Sequence, residues 1–207
     1  MSILKVGKKA PNFELPNQDE ESKTLEDYKG KWLVAYFYPR DDTPGCTVEA
    51  QEFTEEVKNF ANEDATIVGV SPDNAAKHCK FIDKHSLDVE LLADTEKKML
   101  EDYGVWQEKS MYGKTYLGVV RTTYLIDTEG VVAEAWTKVK ARGHAEAVLG
   151  RLREIKGYYT YIIPPIPPMP PIPPISGMAG IEPPFSSGIS ETKVSVVRTK
   201  PAIEPAA

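Results

Sequence analysis

Cysteine is scarce in this chain, with two in 207 residues, Cys46 and Cys79. That is too few for the disulfide frameworks that hold small secreted domains together. Long apolar runs are also missing. Nothing approaches the ~20 residues that a membrane-spanning helix needs, and Met1-Ser-Ile-Leu-Lys-Val lacks the apolar core of a secretory signal. Positive charge is not in excess either: 25 Lys and Arg stand against 31 Asp and Glu, a net charge of −6. This argues against a nucleic-acid partner and against attraction to an anionic membrane. A cytoplasmic protein is therefore expected, and in that reducing compartment a cysteine is more often chemical than structural. What remains, 41% hydrophobic and 27% charged residues, is the composition of an ordinary globular domain.

Along the chain, apolar runs with strand character alternate with helical patterns. Ala10–Leu15 and Lys23–Glu26 read as short extended pieces around a polar turn. Lys31–Tyr38 is dense in aromatic and β-branched residues, as a strand buried on both faces should be. A helix follows from about Cys46 to Phe60, with Val48, Phe53, Val57 and Phe60 as its apolar residues. Ala65–Ser71 reads as a second buried strand. Asp73 is placed to cap a helix carrying Ala75, Cys79, Phe81 and Ile82. A short strand at Leu91–Ala93 and a short helix at Glu96–Tyr103 come next. Leu117–Ile126 and Val131–Thr137 form two strands around the turn Asp127–Gly130. A last helix is expected from about His144 to Ile155, with Val148, Leu149, Leu152 and Ile155 on one face. This order implies an α/β fold of thioredoxin-like architecture, a mixed central sheet with helices on both faces, over residues 1–157.

After Gly157 the composition changes. Ile163 to Ile175 repeats X-Pro-Pro, and a Gly/Ser/Pro-rich stretch runs on to Ala207. Prolines at this density exclude helix and sheet interior and favour polyproline II. At three residues per turn, Ile163, Ile166, Met169, Ile172 and Ile175 would line one edge over about 37 Å. Residues 158–207 are thus expected as a Pro-rich extension, polyproline II and then largely irregular. Its apolar stripe could dock on its own domain, on a second subunit or on an aromatic groove of a partner. It could equally be a low-complexity extension without a docking role.

The stretch from Tyr36 to Gln51 carries the chemistry. A buried strand stops at Pro39, a polar loop with Asp41 and Asp42 follows, and Thr43-Pro44-Gly45 leads into Cys46 at the start of a helix. A thiol there meets unpaired backbone N–H groups and the positive end of the helix dipole, which favour the thiolate form. Thr43, three residues earlier, can turn its hydroxyl toward the sulfur or toward a bound peroxide, and Pro39 can shield the sulfur from water. A fixed cation would complete a site for attack on an O–O bond. Arg121 interrupts a strongly apolar strand and needs a partner there. Pairing with a surface carboxylate would satisfy it equally well.

Pro39-Arg-Asp-Asp-Thr43-Pro-Gly-Cys46 fits the Pro-x-x-x-Thr-x-x-Cys signature of peroxiredoxins. The longer stretch resembles the Q type, also called the bacterioferritin-comigratory type. The similarity continues through Ser71-Pro-Asp, Leu92-Ala-Asp94 and Arg121–Asp127, and covers about residues 4–156. It implies a thioredoxin-like fold and a thiol-dependent peroxidase that needs no metal or haem cofactor. Its substrates would be hydrogen peroxide and organic hydroperoxides. It makes Cys46 the peroxidatic cysteine, oxidised to a sulfenic acid, with Pro39, Thr43 and Arg121 around it. The implied reductant is thioredoxin or another thiol, and the implied state a monomer, with a dimer left open by the tail.

The chain departs from that pattern at recycling. Many Q-type members carry a resolving cysteine five residues after the peroxidatic one, where this chain has Gln51. Cys79, 33 residues on (79 − 46), stands about one helical turn before the position used by another variant. It is a candidate resolving cysteine, and it also fits a buried spectator beside Ala75 and Ile82. Otherwise an external thiol would reduce the sulfenic acid. A dithiol oxidoreductase of the same fold is disfavoured, because the position three residues after Cys46 is Glu49. A peroxide-triggered sensor using the X-Pro-Pro tail is the alternative function. His78, Cys79 and His85 do not make a compact metal ligand set on one helix.

Overall fold

The computed structural model describes residues 2–111 and 114–162. The elements are β1 (Glu14–Pro16), β2 (Ser22–Thr24), a 3-10 turn (Leu25–Tyr28), β3 (Trp32–Phe37), α1 (Pro44–Asn62), β4 (Ala65–Ser71), α2 (Ala75–His85), β5 (Glu90–Ala93), α3 (Lys98–Asp102), β6 (Trp106–Met111), β7 (Lys114–Val119), β8 (Thr122–Ile126), β9 (Val132–Thr137) and α4 (His144–Ile162). Five strands form the central sheet in the order β5-β4-β3-β8-β9. β3 pairs in parallel with β4, and β4 with β5, while β8 runs antiparallel to both β3 and β9. The mixed sheet with helices on both faces is the expected thioredoxin-like architecture.

β3 shows why this sheet is two-sided. Its side chains alternate along the strand. Trp32, Val34 and Tyr36, followed by Tyr38, enter a core with Phe53 and Phe60 of α1, Phe81 of α2, and Val148, Leu149 and Leu152 of α4. Leu33, Ala35 and Phe37 enter the opposite core with Val68, Val70, Met99, Tyr103 and Tyr124. Both sets are buried, so the strand reads as a continuous apolar run rather than an alternating one. Gly69 of β4 faces Tyr36 across the ladder. A Cβ there would lie 2.6 Å from the tip of the Tyr36 ring and 2.7 Å from Leu91, so the glycine makes room for the ring.

Several boundaries differ from expectation. The apolar run Leu117–Ile126 is broken at Val120–Arg121 into β7 and β8, and β7 pairs with the unanticipated β6 in a separate ribbon. The break arises because Val120 N–H bonds to Val105 C=O and Arg121 C=O accepts from Val139 N–H, partners outside the β7 and β8 ladders. The cap of α2 is Asn74, whose side chain accepts from Lys77 N–H at 3.0 Å, not Asp73. The last helix runs through Ile162, so the boundary expected at Gly157 falls inside α4. A glycine costs a helix interior only about 1 kcal/mol, so Gly157 does not end it. The X-Pro-Pro stripe and the rest of the extension lie outside the described residues. Among the described residues no helix is long and apolar enough to cross a membrane.

Candidate active site

Pro44 opens α1, in a first turn where its missing N–H costs nothing. Thr43 precedes it in extended conformation, and Thr47 N–H is the first amide to bond back, to Thr43 C=O at 2.9 Å. The amides of Gly45 and Cys46 are therefore not used inside the helix. Cys46 is 1% exposed. The Thr43 hydroxyl donates to Arg40 C=O at 3.2 Å rather than to the sulfur. Pro39 is half-buried just past β3 and opens the same loop. Pro39, Thr43 and Cys46 thus share one short segment, with Thr43 bonded within that segment.

Arg121 comes from the break between β7 and β8. Its Nη2 donates to Cys46 Sγ at 3.1 Å, and its Nη1 pairs with Glu49 Oε2. A Cβ on Gly45 would stand 3.3 Å from that Nη2, so the glycine admits the guanidinium to the sulfur. Burial opposes the Arg121 charge, but the Glu49 carboxylate and the Cys46 sulfur outweigh it and hold the pKa above its ordinary value. Glu49 lies one helical turn after Cys46, with its side chain 1% exposed. Burial lifts its pKa to about 7 from 4.5, against the pull of Arg121. His144, at the start of α4, is buried beside Phe53 and Trp136 and bonds Thr123 Oγ1 at 2.8 Å. Burial, helped by the Arg121 charge, lowers its pKa to about 4.

A second cluster fixes the front of the loop. The Asp41 carboxylate accepts from Tyr38 Oη at 2.7 Å and lies 2.8 Å from His78 Nδ1. Asp41 N–H donates to Asp73 Oδ2 at 2.8 Å. His78 is completely buried, and its Nε2 faces Leu92 C=O at 3.3 Å. On the surface, Asp42 holds Lys84 and His85. Cys79 is half-buried, and its thiol donates to Gln18 C=O at 2.9 Å. The two thiols are unpaired and bonded to different neighbours, Cys46 to Arg121 and Cys79 to the β1–β2 turn. Among the described residues no three His, Cys, Asp or Glu side chains gather as a metal ligand set.

Comparison with known proteins fits this geometry. Residues 6–135 match the AhpC/TSA family. Peroxiredoxin Bcp of Bacillus subtilis is 47% identical over 152 residues, which are 73% of this chain and 97% of the relative. The chain is a peroxiredoxin of the Q type within the AhpC/TSA family. Peroxiredoxin Bcp of Escherichia coli is 38% identical over 154 residues, covering 74% of this chain and 99% of that one. The structure of peroxiredoxin Q from Xylella fastidiosa superposes with a TM-score of 0.72 at 36% identity, covering 75% and 99%. The bacterioferritin comigratory protein of Xanthomonas campestris, studied for alkyl peroxide reduction, gives 0.67 at 40% identity, covering 69% and 91%. As a peroxiredoxin the chain is an enzyme, a thiol-dependent peroxidase acting on a peroxide with a thiol reductant.

Sequence reasoning placed Arg121 beside Cys46 but missed its partner. Glu49 receives no pairing role from the sequence, although it stands within the stretch that resembles the Q type. The signal was available, because Cys46, Glu49, Ala50 and Phe53 follow the i, i+3, i+4, i+7 stripe of a buried helix face. An acid on that stripe needs a buried cation. Asp41 and His78 were missed for another reason: nothing local announces a pairing across 37 residues.

Proposed function

We propose that this peroxiredoxin reduces hydrogen peroxide and organic hydroperoxides at Cys46. The carrying observation is the Arg121 Nη2–Cys46 Sγ contact of 3.1 Å. The Cys46 thiolate attacks one peroxide oxygen. An S–O bond forms as the O–O bond breaks, and the departing oxygen takes a proton to leave as water or an alcohol. Cys46 becomes a sulfenic acid. Arg121 holds the anionic sulfur and offers N–H groups to the oxygen on which charge develops, while Glu49 keeps the guanidinium turned to the sulfur. The open amides of α1, and Thr43 once its hydroxyl turns from Arg40 C=O, supply the remaining donors, and Pro39 shields the loop.

An external thiol of the thioredoxin class, available in a reducing cytoplasm, returns the sulfenic acid to thiol. Its thiolate attacks the sulfenic sulfur, an S–S bond forms, and the oxygen departs as water. A second thiol of the reductant then releases Cys46. Gln51 supplies no thiol, and Cys79 is occupied at Gln18. A second reading uses Cys79 as the first attacker, favoured by its partial exposure and by the direct tie of its helix to the reactive loop. Cys46→Ser should abolish peroxide consumption coupled to thioredoxin; retained consumption refutes the assignment of Cys46. After one equivalent of peroxide, a trappable sulfenic acid in wild type supports the external-thiol route. A disulfide seen in wild type and lost in Cys79→Ser establishes the second.

A further inference from the structure

We propose that the buried Asp41–His78 pair is a positioning pair for the peroxide step, setting the loop that carries Cys46. The inference rests on the peroxidase reading above. The segment from Asp41 to Cys46 is held at both ends. At its far end Arg121 grips the sulfur. At its near end Asp41 is fixed three ways, by Tyr38 Oη, His78 Nδ1 and the Asp73 carboxylate on its backbone N–H. Between the ends the chain turns through Asp42, whose φ of +55° lies in the sparsely populated left-handed region. Tension of that kind persists only where its surroundings over-determine it. His78 contributes to that from a fully buried position, 0% exposed and with its Nε2 3.3 Å from Leu92 C=O.

The surface tie from Asp42 to Lys84 and His85 makes a useful contrast. It joins the same loop to the same helix, but the Asp42 side chain is 47% exposed and that of Lys84 60%. Exposed pairs of this sort contribute little. The buried pair differs, because removing one partner leaves the other carboxylate or ring without its hydrogen bond. Loosening the near end displaces the donors of Thr43 and the α1 amides from the oxygen they must meet. A misplacement of about 1 Å can cost two orders of magnitude in rate.

The test uses the full chain with stoichiometric and excess peroxide, reading the rate and the amplitude of Cys46 thiol loss separately. His78→Leu should slow thiol loss roughly tenfold or more while its amplitude stays complete. The reaction of preformed sulfenic acid with thioredoxin should be unchanged. His78→Asn, whose amide can donate from the place of Nδ1, should recover most of the rate. Lys84→Ala should stay within about twofold of wild type. A His78→Leu protein with the wild-type rate overturns the proposal. So does one that loses amplitude at an unchanged rate, the signature of a merely structural role, or a His78→Asn variant as slow as His78→Leu. If wild type shows no Cys46-dependent thiol loss, the peroxidase reading fails and the positioning role falls with it. A normal wild type with an unaffected His78→Leu fails the positioning role alone.

Discussion

Replacing Glu49 by Gln should reveal an acid sensitivity that the wild-type protein hides. Burial holds Glu49 at about 7 against an ordinary 4.5, and holds His144 at about 4 against 6.5. Between pH 4.5 and about 7 the folded protein keeps a proton on Glu49 that the unfolded chain has lost. Stability from this group is therefore complete below 4.5 and falls as pH rises through that window, by about 1.4 kcal/mol per pH unit. His144 acts in the opposite sense. Between about 4 and 6.5 the unfolded chain binds a proton that the folded imidazole does not, so stability rises with pH at a similar slope. The two windows overlap from 4.5 to 6.5, and there the slopes nearly cancel. Glu49→Gln removes one of them. Relative to wild type, its unfolding free energy should climb by roughly 2–3 kcal/mol from pH 4.5 to 6.5. His144→Phe, which keeps a ring between Phe53 and Trp136, should show the reverse trend over the same interval. The assay is urea unfolding of the reduced protein across that range, with each variant's free energy compared with wild type at every pH. A Glu49→Gln curve parallel to wild type would refute the assignment of a buried acid beside Arg121 that keeps its proton up to about pH 7.

Two further outcomes follow from packing and coverage. Gly69→Ala puts a methyl against the Tyr36 ring and Leu91, and should cost about 1–3 kcal/mol by thermal or urea unfolding; a neutral change would mean that Tyr36 does not occupy that space. A chain ending after Ile162 keeps every described element, and 73% of this chain already spans 97% of the Bacillus relative. It should therefore retain peroxidase kcat/KM within about twofold, because the cut falls after the last element that carries or supports the site. A larger loss would give the X-Pro-Pro segment a part in the catalytic cycle.

The parts of this molecule legible in its sequence are those whose physics is local. β3 and β4 could be read because burial on both faces demands an uninterrupted apolar run. The start of α1 was legible because Thr43-Pro44-Gly45 is a turn and helix entry whatever surrounds it. Legibility fails where two remote segments decide the outcome together. Residues 117–126 look like one strand, and only the distant amide and carbonyl of Val139 and Val105 divert the chain at Arg121. That diversion is what delivers the guanidinium. In an unbroken strand Arg121 would lie in the β ladder, whereas at the break it reaches both Cys46 and Glu49. The same holds for Asp73, expected as a helix cap from its sequence neighbours but drawn instead to the Asp41 amide and to Lys77. A capping position one residue later costs almost nothing, because Asn74 caps as well as Asp does. The carboxylate thereby freed holds the reactive loop. Local signals in this chain place the nucleophile on its helix. The groups that hold its loop in place come from the end of β3, the β4–α2 loop, α2 and the β7–β8 break.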